Sequence, residues 1–195
     1  MKFTKILGVV AAAALALMAF AGTASATTLA IGGVKQTGAV TIKASLKTGT
    51  SAILKDTGGA FANTCLESAV EGKTTTFTGT VAGPISTLSF SKCTEEPVVV
   101  DTTGSLTVTQ IAGTTNGTVR SIGAKVTSPS PFGALTCTTA ASPGTDIGTL
   151  TGVASTASHA TMDINAVLNC GFFLPSAKWE GTYTVTSPTG LNVES

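Results

Sequence analysis

"ATMDINAVL", residues 160–168, places Met162, Ile164, Ala166 and Leu168 on one face of an extended chain and Thr161, Asp163, Asn165 and Val167 on the other. Side chains along a strand alternate with a period of two, so an apolar set on one side marks a half-buried strand. A helix over these residues would lack an N-cap and charge pairs one turn apart, whereas Thr, Ile and Val suit a pleated surface. The same pattern opens the chain at "AVTIKASL" (39–46), where Val40, Ile42, Ala44 and Leu46 face Thr41, Lys43, Ser45 and Lys47 across the backbone. It continues in "TTTFTGTV" (74–81), "STLSF" (86–90), "PVVVD" (97–101), "SLTVTQI" (105–111), "VRSIGAKVT" (119–127), "ALTCTT" (134–139), "IGTLTGV" (147–153) and "GTYTVT" (181–186). Asn116-Gly117 sits between two such runs as a hairpin turn. About ten short strands separated by turn residues predict an all-β fold, a β-sandwich or a barrel.

Two phrases recur in one order. Cys93 is followed eleven residues later by Gly104 in "GSLTVT", and Cys170 eleven residues later by Gly181 in "GTYTVT". "TCLESAVEG" (64–72) matches "TCTTAASPG" (136–144) at Thr, Cys, Ala and Gly, and "GTVAG" from Gly79 matches "GTLTG" from Gly148. The expectation is two internal repeats of about 75 residues, roughly Val34 to Ile111 and Thr114 to Ser187, within a single β-rich domain spanning 27–195. Only "AFANTCLESAVEG" (60–72) carries a helical signal, with Thr64 as cap and Glu67 three residues on. Its counterpart in the second repeat has none, which keeps the reading all-β.

The first residues carry Lys2 and Lys5, an apolar run from Ile6 to Phe20, and "ASA" at Ala24 to Ala26. A run shorter than the roughly 20 residues that span a bilayer, followed by an A-x-A site, reads as a secretory signal peptide over residues 1–26, cleaved after Ala26. The mature chain is then expected to be exported, extracellular or held at the cell surface, with no membrane insertion. Lys2 and Lys5 leave with the signal, so nine basic groups remain against ten acidic ones. Such a balance disfavours nucleic acid as a partner.

Four cysteines in an exported chain imply two disulfides, and spacing alone leaves three connectivities open. Duplication favours Cys65 with Cys93 and Cys137 with Cys170. Without C-x-x-C spacing and with a single His, neither a metal site nor a cofactor is expected. His159 in "STASHATMD" reads as a loop residue, and Glu95-Glu96 as solvated charges before a strand. No catalytic motif is present, so the chain is read as a non-enzyme. A hydrolase would need His159 within reach of a Ser and a carboxylate.

Binding has a better candidate. Trp179, Gly181 and Tyr183 alternate on one face, with Phe172 and Phe173 just upstream. These aromatics fill a core or line a site for a sugar or a small apolar ligand; a carrier would need a deep apolar cavity of several hundred Å³ beside them.

The closing run "WEGTYTVTSPTGLNV" (179–193), with "NCG" at Asn169 and the "GTV" and "GTL" blocks, resembles the tails of uncharacterised secreted actinobacterial proteins. That resemblance implies an all-β fold and no catalytic residues. A looser likeness is to the small exported chromophore-carrying apoproteins of the neocarzinostatin type, which are also rich in Ala, Gly and Thr and hold two disulfides. The resulting expectation is a secreted, disulfide-stapled β-protein with an extracellular structural or interaction role. A carrier of a small apolar ligand or a carbohydrate-binding module is the alternative, and an extracellular hydrolase the second.

Overall fold

The structure is a computed structural model that describes residues 26–131, 133–172 and 174–195. The signal-peptide reading and Phe173 therefore lie outside the described residues. In chain order, β1 (Thr27–Ile31) and β2 (Val34–Lys35) are followed by β3 (Thr41–Leu46), β4 (Ala52–Asp56) and the long β5 (Ala62–Lys73). Next come β6 (Thr78–Gly79), β7 (Val81–Cys93), β8 (Val99–Thr102) and β9 (Ser105–Gln110). The second half holds β10 (Gly117–Ile122), β11 (Lys125–Ser128), β12 (Leu135–Thr138), β13 (Thr145–Thr151), β14 (Thr161–Leu168), β15 (Ala177–Ser187) and β16 (Leu191–Glu194). No helix occurs among the described residues; Ala62 to Lys73, where a helical signal competed, is one twelve-residue strand.

Of the two all-β architectures expected, the chain adopts the barrel. β3, β5, β7, β9, β10, β13, β14 and β15 pair antiparallel in that order, and β14–β15 and β15–β3 close the ring. Neighbouring staves are thus successive along the chain, apart from short inserted strands. β4 continues β3 after the Lys47–Ser51 break: it runs the same way and fills the same position between β5 and β15. Closure gives each of these eight strands a neighbour on both sides over part of its length, although β7 beyond Pro84 is laddered to β5 alone.

The alternation in the sequence now has a place to point. Ile164, Ala166 and Leu168 are buried while Asp163, Asn165 and Val167 are exposed, so the face read from "ATMDINAVL" looks into the barrel. On β15, Tyr183 and Val185 are buried on that side, with Gly181 between Tyr183 and Trp179. Glycine leaves the room that the Tyr183 ring uses: a Cβ on Gly181 would sit 3.3 Å from Tyr183 Cε2.

Two smaller sheets cover the ends. At one end β16, β1, β2 and β6 form a plug in which Leu29 pairs with Val193 and Ile31 with Leu191. Leu29, Leu191 and Val193 are all buried, and Gln110 N donates to Thr27 Oγ1 at 2.8 Å to tie the plug to β9. At the other end β8, β11 and β12 form a cap.

Both disulfides lie at the cap end and follow the pairing that duplication favoured, Cys65 with Cys93 and Cys137 with Cys170. The first joins two staves, β5 and β7; the second fastens the cap strand β12 to the chain just after β14. Two disulfides suggest an oxidising environment. Asn63, 2% exposed, secures the cap a second time. Its Nδ2 donates to Glu95 O and to Ser128 Oγ, each at 2.9 Å, and its Oδ1 accepts from Thr94 Oγ1 and Glu95 N, each at 3.0 Å.

Several local expectations differ from what forms. "TTTFTGTV" is not one strand: Thr76 forms a lone bridge with Ala82, Thr78–Gly79 is a two-residue strand, and Val81 already belongs to β7. "VRSIGAKVT" is split at Gly123, whose φ of +68° ends β10 and redirects the chain into the cap. The Asn116-Gly117 hairpin exists, but its turn lies earlier, with Thr114 N bonded to Ile111 O and Gly113 at φ +75°; Gly117 already pairs with Gln110. The two sequence blocks also take different places. Cys65 lies on a barrel stave and Cys137 on the cap; Gly104 turns the chain at φ +70° before β9, whereas Gly181 lies inside β15.

Candidate functional site

Eight staves give a barrel interior just wide enough to be filled by side chains or to hold one small ligand. This lumen is not filled. Toward the cap lies a void of about 90 Å³, walled by Leu54, Phe90, Leu106, Met162, Trp179 and Tyr183 with Val98 and Val126 of the cap. Toward the plug lies a second of about 100 Å³, walled by Ile42, Ala44, Val119, Leu150, Val185 and Leu191. Val70, Ile85, Leu106 and Met162 border both, so these four side chains form a waist that stands between the two voids. A water needs roughly 10 to 15 Å³ by this kind of measure, and either void exceeds that severalfold. Their walls are almost wholly apolar, a surface that water solvates poorly.

Two of the four aromatics expected at a binding site are here. Trp179 lines the cap-end void and stacks edge-on against Phe90, ring centroids 6.2 Å apart at 70°. Tyr183 is 1% exposed, and its hydroxyl donates to Ser68 Oγ at 2.9 Å inside the barrel. Burial pushes its phenol up to about 12, because the phenolate would lose its hydration with only a hydroxyl in return. Phe172 is not among them: it is 93% exposed in the turn after β14 and lines neither void. The void beside Trp179 and Tyr183 is also smaller than the several hundred Å³ expected of a carrier.

The sequence reading missed Phe90 and the Ser121–Thr139 hydroxyl pair. Phe90 closes "STLSF", a strand run whose alternation puts Leu88 and Phe90 on one face but names no partner. Ser121 and Thr139 are polar residues at strand ends, unremarkable until the cap folds over them; their oxygens lie 3.2 Å apart, and Thr139 Oγ1 also accepts from Ala124 N at 2.9 Å.

The ion pairs lie elsewhere. Glu180, on the outer face of β15, meets Lys178 and Lys55 at 2.6 and 2.7 Å; hydrogen bonds from Lys178 first and Lys55 second hold its carboxyl below the usual range. Asp146 is held low by Arg120 in the same way. His159 is exposed, and its Nδ1–H donates to the Val185 carbonyl at 2.7 Å. Glu96 accepts from Cys93 N at 2.9 Å, a turn-closing role. Among the described residues no group of three or more His, Cys, Asp or Glu comes together to hold a metal.

The arrangement can enclose a small apolar molecule against one Trp and one Tyr, with a few hydroxyls at one end. No protein-family model, no curated protein and no solved structure matches the chain.

Proposed function

We propose that the mature chain is an exported, disulfide-stapled barrel that binds a small apolar molecule in its lumen. One observation carries the reading: two adjoining apolar voids where a packed core would be expected. Protein interiors are close-packed, with few gaps larger than a water. Unfilled apolar space forgoes the contacts a packed core makes, at an upper limit of about 2 kcal/mol per 100 Å³ where it is fully enclosed. A cost of that size is offset when a ligand occupies the space. The smallness of the voids narrows the occupant to a slim molecule rather than a sugar or a large chromophore. The two disulfides and the leader-like N-terminus support export, and neutral charge supports a role that does not involve nucleic acid.

The test uses toluene and n-octane on the purified mature protein, following Trp179 emission and the thermal midpoint. The chain has one Trp, so emission reports on the cap-end void alone. Binding raises the midpoint, since a ligand that binds only the folded state stabilises it by mass action, and shifts the emission. Unchanged emission and midpoint with both compounds near their solubility limits overturn the reading.

A further inference from the structure

Resting on the lumen reading above, we infer that the ligand is an uncharged, single-chain amphiphile. Its head group accepts a hydrogen bond at Ser121 and Thr139, and its alkyl chain runs through the waist toward Val185.

The two ends of the lumen differ. Ser121, Ser128, Asn63, Thr138 and Thr139 all border the cap-end void. Asn63 and Ser128 are occupied with one another, with Glu95 and with Pro129 O. Ser121 and Thr139 keep hydrogen-bonding capacity to spare. They are 3% and 8% exposed, and the single contact between their oxygens uses one hydroxyl hydrogen of two. The Thr139 oxygen is engaged as an acceptor by Ala124 N, so one hydroxyl hydrogen remains at this end, together with acceptor capacity on Ser121 Oγ. A carbonyl, ether or alcohol oxygen placed there accepts the spare hydrogen and adds a hydrogen bond that the empty site lacks.

Charge decides the head group further. Among the described residues no Asp, Glu, Lys, Arg or His borders the cap-end void, so a carboxylate or ammonium there would be buried without a counter-ion, at heavy cost. Lys73, an exposed residue at the plug end, is among the described residues the one charged side chain bordering either void.

Shape decides the tail. Trp179 borders one void and Val185 the other. Between them β15 advances about 20 Å at 3.3 Å per residue, and a stave tilt of about 40° leaves roughly 15 Å along the barrel axis. At about 1.2 Å per bond an extended chain of roughly thirteen carbons covers that length, and one of roughly eleven spans most of it. The waist of Val70, Ile85, Leu106 and Met162 admits one chain more readily than a fused ring, and Met162 is the side chain best able to adjust.

The experiment measures 2-hexanone, 2-undecanone, undecanoate and naphthalene against the purified mature protein by Trp179 emission and thermal shift. 2-Undecanone is expected to bind most tightly, each added methylene from the shorter ketone tightening binding by about fourfold. Undecanoate at neutral pH binds at least tenfold more weakly. The double variant Ser121→Ala/Thr139→Val weakens 2-undecanone by about five- to tenfold and leaves n-undecane unchanged, which also shows that the variant is folded. Ala44→Leu, which fills the plug-end void, removes the gain from the longer chain while 2-hexanone still binds. Undecanoate or naphthalene binding as tightly as 2-undecanone, or a double variant that binds 2-undecanone like the wild type, overturns this inference and leaves the lumen reading standing. Silence from all four probes, with toluene and n-octane, overturns the lumen reading itself.

Discussion

Ala52→Val asks whether the lumen is empty. Ala52 is 3% exposed, lies on β4 opposite Cys65, and borders the cap-end void beside Trp179 and Tyr183. Valine adds two carbon atoms and suits a strand. If they enter existing space, each is worth about 0.8 kcal/mol, or roughly 1.6 kcal/mol of added stability. For a domain of this size that raises the thermal midpoint by about 3 to 6 °C. Urea unfolding, read from Trp179, should show a higher midpoint and an unchanged slope, since the surface exposed on unfolding hardly changes. The same variant should weaken toluene binding by about tenfold, because the added methyls occupy the ligand's place. A loss of 1 to 3 kcal/mol instead is the signature of an overpacked core. It would refute the void, and with it the argument that stability is given up to make room for a ligand.

Other expectations follow from single contacts. The protein has one Tyr, so alkaline titration followed by tyrosinate absorbance should show a native midpoint near 12 rather than 10. Tyr183 is protonated in both states below pH 10; between 10 and 12 only the unfolded chain loses the proton, so this group removes roughly 2 to 3 kcal/mol of stability as pH rises through that window. A native midpoint of 10 would mean that the ring is solvated. Asn63→Ala leaves Ser128, Thr94 and Glu95 without their partner and should cost about 2 to 4 kcal/mol in urea unfolding; a loss below 1 kcal/mol would show that the cap is held without it. Replacing Cys137 and Cys170 together by Ala should cost roughly 3 to 4 kcal/mol, from a closed loop of 33 residues. Hydrogen exchange in that variant should rise first in β11 and β12, and unchanged protection there would contradict the assignment of this disulfide to the cap.

The staves were legible because period-two alternation survives in local sequence: Ile42 with Ala44 on β3, or Ile164 with Leu168 on β14, identify their inward face without a partner. Closure was not legible. Whether a set of half-buried strands forms a sandwich or a barrel depends on one long-range pairing, here Tyr183 with Leu46 and Val185 with Ala44, and alternation is the same in either case. The plug was missed for a related reason. In "TTLAI" Thr27 and Thr28 are buried along with Leu29 and Ala30, so no polar and apolar faces separate, and a strand covered on both sides shows no alternation to read. Gly123 and Gly113 misled in the opposite direction, since left-handed turns at these residues broke or displaced elements whose flanking residues read as continuous. The site was half legible. Trp179 and Tyr183 share a face by simple alternation, whereas Phe172 lies beyond the strand, where alternation no longer applies. Ser121 and Thr139 became a pair only through the fold of the cap.

The most direct test of the account is the crystal structure of the mature protein under xenon pressure, because xenon enters dry apolar voids without needing a hydrogen bond. The account predicts xenon density inside the barrel on both sides of the Val70, Ile85, Leu106 and Met162 waist. A lumen packed solid by these side chains, with xenon absent from it, would contradict the account.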